Sequence, residues 1–414
     1  MDGGRSLSPA FLCNGTPAMT PWRKTFYASW VAQVISVTGF TFVLPFLPLY
    51  IRTLGVESEA DVARWAGIIG AATGATMTVS APIWGGLADR YGRKIMVLRA
   101  MFCGAGILAL MGFARGVGDL LILRLLQGAL TGTITASVAL VSSVTPTERS
   151  GYALGMMQAA VFGGASVGPL LGGAIADRLG FRPACWIAGS VLLVGGLLVK
   201  FAVREQFRPV SESTRRETGS FVHVLAATGF FAAVFVLFQV QFANGAMWPV
   251  FPLFVEKLHG TRADAATVTG VILSAAGIVA AVSAGLFGRI GDAWGHKRLL
   301  VACTLFAGMV SIPQALAHSV PQLFFIRVLF GLGAAGILPS ANAIIRAITH
   351  DHNIGKAYGI TSSASCFGMA LGPLAGGYLA AHVGLTAPFI LTGLVLICTS
   401  VVVAARVRGV GMRA

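Results

Sequence analysis

The chain has 414 residues, 56% hydrophobic and only 11% charged, with a formal net charge of +15. A water-soluble domain carries about 25% charged residues, and one this apolar would expose sticky surface. Composition therefore argues against a soluble enzyme or binding module and for a bilayer as solvent. The excess charge lies in short segments between apolar runs and forms no basic stripe with interleaved aromatics, so no nucleic-acid partner is expected.

Residues 1–20 are rich in Gly, Ser, Pro and Thr and lack a long apolar core. They are expected to form a disordered tail without a cleavable signal. Met19, ahead of Thr20-Pro21-Trp22-Arg23-Lys24, is a second candidate start. A helix needs about 20 apolar residues to cross a bilayer. Twelve such runs follow, at 26–51, 65–88, 95–114, 120–144, 152–176, 184–203, 222–255, 267–290, 299–317, 321–345, 357–381 and 386–405. They are spans one to twelve below. The longest polar connection, 204–220, falls at the middle and reads as a linker between an N-terminal bundle, 21–203, and a C-terminal bundle, 221–407, with a tail at 408–414. The predicted fold is all-α: twelve transmembrane helices in two pseudo-symmetric six-helix bundles.

Lys and Arg fix the orientation. With both termini inside, 21 of the 30 lie in or beside inner segments and 7 in outer loops, leaving Arg124 and Arg327 within spans. This bias places both termini in the cytoplasm of a multi-pass protein of the plasma (inner) membrane. The halves are also a repeat. At an offset of 203, Trp84-Gly85-Gly86-Leu87-Ala88-Asp89 lies over Phe287-Gly288-Arg289-Ile290-Gly291-Asp292, Gly92 over Gly295, Lys94 over Lys297, Arg124 over Arg327 and Gly128 over Gly331. At 204, Gly168-Pro169-Leu170-Leu171-Gly172-Gly173 lies over Gly372-Pro373-Leu374-Ala375-Gly376-Gly377, and Pro45 and Pro48 over Pro249 and Pro252. Equivalent helices run the same way, so the halves should be related by an axis along the membrane normal.

Three motifs carry mechanism. Between spans two and three, Gly85 to Lys94 reads GGLADRYGRK. Gly85 and Gly92 allow close approach and a sharp turn. Asp89, repeated at Asp292, is an acid at an inner helix end, suited to accept from the N-terminus of span eleven near Gly355. Arg90, Arg93 and Lys94 read as solvated topology determinants, and Gly295 repeats the turn. On span four, Arg124, Gln127, Thr131 and Thr135 fall within one stripe at 100° per residue. A mid-span Arg is costly unless it meets water or a partner, so this stripe should face a cavity or the other half. On span five, Gly164, Gly168, Pro169, Gly172 and Gly173 make a small-residue face with a kink, copied by Gly368, Gly372, Pro373, Gly376 and Gly377 on span eleven.

These motifs resemble the major facilitator superfamily. The first resembles its signature, whose loop latches the cytoplasmic gate. The helix-four Arg resembles one implicated there in proton handling, and the GPLLGG stretch resembles the mark of its antiporters. With Pro45 to Tyr50, PFLPLY, the chain over roughly 21–407 looks like the drug–proton antiporter family with twelve spans. The resemblance implies a monomer exchanging protons for a small molecule.

One feature departs from that family. None of the fifteen acids lies at the middle of a span. Asp119 and Glu256, near outer helix ends, remain as proton-coupling candidates beside Arg124, although each also reads as a solvated loop acid. Arg124 and Arg327 are then the only buried charges, which would attract anions. Other expected cavity groups are Gln33 and Phe40 on span one, Gln158 and Phe162 on span five, and Gln241, Asn244 and Trp248 on span seven. The six cysteines form no CxxC, five lying in apolar runs, and the histidines show no ligand spacing, His350 and His352 reading as solvated. No metal, cofactor or nucleophile–base pair is expected, so the chain is not read as an enzyme. The expected function is proton-driven multidrug efflux by alternating access. The alternative is a transporter of a small metabolite or organic anion on the same fold, and a non-transporting membrane sensor is the more distant rival.

Overall fold

A computed structural model describes residues 21–146, 149–205, 230–348 and 354–406. The tails, Met19, most of the linker, the 222–229 start of span seven, and His350 and His352 lie outside the described residues. The first half comprises α1 (Pro21–Val43), α2 (Leu47–Thr53), α3 (Glu59–Tyr91), α4 (Arg93–Met111), α5 (Val117–Leu130), α6 (Thr133–Val144), α7 (Ser150–Leu179) and α8 (Phe181–Ala202). The second comprises α9 (Phe230–Met247), α10 (Phe251–His259), α11 (Ala265–Trp294), α12 (His296–Gln314), α13 (Val320–Ala335), α14 (Ile337–Ile348), α15 (Ile354–His382) and α16 (Ala387–Arg406).

Eleven spans among the described residues are long and apolar enough to cross a membrane. The twelfth, α12, has 19 residues and opens with His296-Lys297-Arg298, the repeat of the basic start of α4. Large side chains such as Phe201, Val282 and Phe325 are exposed at 76%, 75% and 67%. Water would not tolerate that belt, whereas lipid does. The chain is a multi-pass membrane protein of the predicted architecture.

The helices run past the predicted apolar limits. With 33 residues, α3 is about 50 Å long at 1.5 Å per residue, so both ends leave the hydrocarbon. Four spans are broken. Span one bends through a 3-10 turn, Leu44–Phe46, at Pro45, and span seven bends between Met247 and Phe251 beside Pro249. Span four divides at Gly132, whose φ is +124°, and span ten at Gly336.

One face of the bundle gathers the start of α1, the α3–α4 turn and the end of α8. Thr25 Oγ1 donates to the Arg204 carbonyl at 3.2 Å, and Lys94 Nζ donates to the carbonyls of Lys200 and Val203 at 2.9 and 2.6 Å. Glu205 accepts from the backbone N–H groups of Arg93 and Lys94 at 3.0 and 2.8 Å, capping α4. Arg204 and Glu205, expected in the linker, are therefore packed onto the first half. This is the Lys94 face; the opposite one is the Glu256 face.

Candidate functional site: the seam between the halves

The seam is built from glycines. A Cβ on Gly164, Gly168 or Gly172 would lie 2.8, 2.8 and 1.9 Å from the carbonyls of Val34, Thr38 and Phe42, so three residues one turn apart bring α7 against α1. The next residue, Gly173, turns outward, where a Cβ would meet the Ala266 carbonyl of the other half at 2.3 Å. Span eleven repeats this. Gly368, Gly372 and Gly376 sit on Phe238, Phe242 and Ala246 of α9, and Gly377 meets Ala63 across the seam. Pro169 and Pro373 also face the other half, against Gly270 and against Gly67 and Gly70.

The close approaches gather toward the Glu256 face. Gly67, Gly70 and Gly74 meet span eleven, and Gly270 and Gly277 meet span five. Farther along the same helices, added Cβ atoms on Gly85, Gly86, Gly285 and Gly288 would meet nothing within 4 Å. Gly85 therefore makes no close approach to any described residue, contrary to expectation. Gly92 and Gly295 do make the sharp turns, with φ of +99° and +91°.

Two contacts made by acids tie the Glu256 face shut, and the Ser274 hydroxyl donates to the Ser166 carbonyl across the same seam. Arg52 at the end of α2 forms an ion pair with Glu256 of α10, and Arg262 lies 3.5 Å from the same carboxylate. Arg52 and Glu256 are repeat-equivalent at the offset of 204, so the pseudo-axis brings opposite charges together. Glu256 is thus no solvated loop acid: its side chain is 11% exposed and salt-bridged across the seam. The second contact is Asp177, at the end of α7. It accepts from the backbone N–H groups of Ala266 and Thr267 at 3.3 and 2.6 Å and from the Thr267 hydroxyl at 2.6 Å. An acid here satisfies orphan donors and meets the positive end of the α11 dipole. Sequence reasoning missed Asp177. The available signal was Ala176-Asp177-Arg178-Leu179-Gly180, an echo of Ala88-Asp89-Arg90-Tyr91-Gly92.

The Asp89 side chain, and those around Gly355, lie outside the described ones, so that expected contact does too. Asp292 is 79% exposed and 3.2 Å from His296. Arg90 is exposed over the Tyr91 ring. Arg93 and Lys94 are not merely solvated: besides the contacts of Lys94 above, Arg93 Nη1 donates to the Ala139 carbonyl at 3.3 Å, tying α4 to α6.

The two arginines part company. Arg124 is 2% exposed and donates to Gln127 Oε1 at 2.7 Å, while its Nε has no partner among the described residues. It lines a small cavity between the halves with Pro48, Gly70, Trp248, Pro249 and Pro373. That space is ≈ 10 Å³, about one water molecule. Arg327, by contrast, is enclosed in its own half and not in that cavity. Its guanidinium lies 4.7 Å from the rings of both Phe251 and Phe330 and near Gln314 Oε1 at 3.4 Å and Met247 Sδ at 3.6 Å. The reason is local: the residues equivalent to Phe251 and Phe330 are Leu47 and Gln127, which leave Arg124 unsandwiched.

Of the other expected cavity groups, only Trp248 joins Arg124. Phe40 packs inside the first half, where a Cβ on Gly104 would meet it at 2.8 Å, and Gln33 is fully buried. Span one is surrounded by its own half, so the face bearing them turns inward. The stripe on span four ends early: Thr131 caps α5 through its hydroxyl to the Gln127 carbonyl at 2.6 Å, and Thr135 lies beyond the Gly132 break, exposed. Gln158 and Asn244 are exposed, and Phe162 and Gln241 half-buried, without being brought to Arg124. Asp119 is exposed and accepts from the Arg115 backbone N–H at 2.9 Å, the role of a helix cap.

The family model described as Major Facilitator Superfamily matches residues 29–266 and 233–410. The chain belongs to the major facilitator superfamily. Relatives of this facilitator include proteins named multidrug resistance protein MdtG. One from Enterobacter lignolyticus (strain SCF1) is 32% identical over 394 residues, 95% of this chain and 94% of the relative. One from Rahnella sp. (strain Y9602) is 33% identical over 91% of this chain and 92% of its own. The fold matches a bacterial homolog of the human lysosomal transporter Spinster in an inward-facing, occupied conformation. There the TM-score is 0.77 at 16% identity, over 94% of this chain and 98% of that one. The human organic anion transporter MFSD10 has a TM-score of 0.71 at 17% identity, covering 93% of this chain and 100% of that one.

Proposed function

We propose that this facilitator exports drugs across a bacterial inner membrane in exchange for protons, as a monomer with both termini in the cytoplasm. The observation that carries the reading is the asymmetric seam. The halves are closed by Arg52–Glu256, Asp177 and packed glycines at one face, while at the other added Cβ atoms on Gly85 and Gly288 meet no described residue within 4 Å. The Lys and Arg bias puts the Lys94 face inside, and we read the described state as the one that takes substrate from the cytoplasm. The names of the relatives supply the substrate class. Glu256 is the favoured proton carrier: it is the seam acid paired with a cation, and protonating it would release Arg52 and loosen the closed face. Asp89 and its repeat Asp292 would latch the cytoplasmic face in the opposite state. Drug accumulation in an efflux-deficient host expressing the chain is the test. Lower accumulation that an uncoupler abolishes supports the reading, and accumulation equal to the empty host contradicts it.

A second reading, transport of organic anions, has its own support. Arg124 is buried at the seam with no acid beside it among the described residues, and an unpaired mid-bilayer Arg costs about 2.5–3.5 kcal/mol. A ligand carboxylate or phosphate would offset that through a charge-assisted bond. Arg327 gives this reading no support, since Phe251 and Phe330 already enclose it. The cavity of ≈ 10 Å³ must widen before any drug enters, as small-molecule sites span about 300–1,000 Å³. Binding of matched anionic and cationic compounds to Arg124→Gln separates the readings: selective loss of anions favours this one, and equal loss of both sinks it.

A further inference from the structure

We propose that the second half carries a binding site for an anionic phospholipid, in a groove between α11, α12 and α13 at the Lys94 face. The groove encloses ≈ 540 Å³ and is walled by Phe287, Trp294, Ala302, Phe306 and Gly333, with Arg289 as its charged group. Its existence follows from the repeat. In the first half, Arg99 of α4 stacks on Trp84 of α3 at 3.4 Å and fills the equivalent space. The residues at those positions in the second half are Ala302 and Phe287, and Gly333 stands where the first half has Leu130. Three large side chains are thus replaced by smaller ones, and the space they occupied is the groove.

Two features identify the occupant. The groove opens toward lipid, because Ala302, Leu305 and Met309, at i, i+3 and i+7 on α12, form an exposed apolar stripe. Its apolar walls suit an acyl chain, and its volume lies in the range of small-ligand sites. The rim is net positive. Arg289 is exposed and makes no hydrogen bond or ion pair among the described residues. Lys297 and Arg298 begin α12 at the same end, opposed by Asp292, which already holds His296 at 3.2 Å. An anionic headgroup at this face would neutralise an unpaired cation at the depth where basic rims between helices collect acidic lipid. Trp294, 70% exposed, sits where aromatic side chains mark the interface.

The test is native mass spectrometry of the purified full chain, offered equal amounts of phosphatidylglycerol and phosphatidylcholine. The parent should retain phosphatidylglycerol at least fivefold over phosphatidylcholine. Arg289→Gln, at an exposed position where folding is not at stake, should bring the two within twofold. Ala302→Phe should lower retention of both and remove the rise in melting temperature that phosphatidylglycerol gives the parent. A preference unchanged in Arg289→Gln, or retention unchanged in Ala302→Phe, overturns the proposal. Displacement of the lipid by a transported drug would also overturn it, assigning the groove to substrate instead.

Discussion

Gly172 and Gly85 belong to motifs of similar appearance and sit in opposite surroundings. A Cβ on Gly172 would lie 1.9 Å from the Phe42 carbonyl, and on Gly376 the same distance from that of Ala246. Backbone cannot yield as a side-chain tip can, so Gly172→Ala and Gly376→Ala should each cost about 1–3 kcal/mol, read as a lowered melting temperature in detergent. Gly85→Ala meets no described residue within 4 Å and should melt like the parent. If the inner ends close on each other during the cycle, its transport rate should still fall, and a normal rate would remove Gly85 from the gate. Arg124→Lys keeps the charge but gives up the planar fork, so it should lose at least tenfold in transport if Arg124 grips a carboxylate or phosphate; a normal rate for anions would rule that grip out. The burial of Arg124 was legible in the sequence because an Arg inside an apolar run must face protein or water. The enclosure of Arg327 was not. Its partners Phe251 and Gln314 come from other spans, and only Phe330, three residues along its own helix, was in view.

Among the elements, the seam at the Glu256 face depends on two acids reaching helices of the opposite half. An exposed ion pair is worth about 0–1 kcal/mol and breaking a buried one costs about 3–5 kcal/mol, so Arg52–Glu256, with side chains 16% and 11% exposed, should fall between. Glu256→Gln should loosen that face. A cysteine at Ala66, which lines the cavity beside Arg124, should then react faster with an impermeant thiol reagent added from outside, in a background without native cysteines. The charge-reversed pair Arg52→Glu with Glu256→Arg should restore slow labelling, and an unchanged rate in Glu256→Gln would show the pair holds nothing shut. Asp177→Ala removes three hydrogen bonds to the start of α11 and should speed the same labelling. Pro45, Pro249 and the small-residue face of span five could be read from the chain because proline and glycine act locally. The division of span four could not, since a wheel drawn through Thr135 assumes that Gly132 stays helical. Glu256 was misread as solvated because its partner is 204 positions away and meets it only through the pseudo-axis.

For the whole molecule, the repeat made the fold legible: the offsets of 203 and 204 superpose motifs on equivalent spans. The same repeat predicts symmetric sites, and here the chain departs from it. Leu47 and Gln127 replace aromatics beside Arg124, Ala302 replaces Arg99, and Asp177 has Ala381 as its counterpart. Each departure marks a place where the pseudo-symmetry of the halves is broken. We propose proton-driven export by a seam that alternates between its two faces. It is tested most directly in proteoliposomes holding the purified chain, loaded with a drug and given an imposed pH gradient with no other energy source. Protons should move down the gradient only when drug moves the other way, and Glu256→Gln should uncouple the two. Drug movement indifferent to the gradient, in the parent protein, would contradict it.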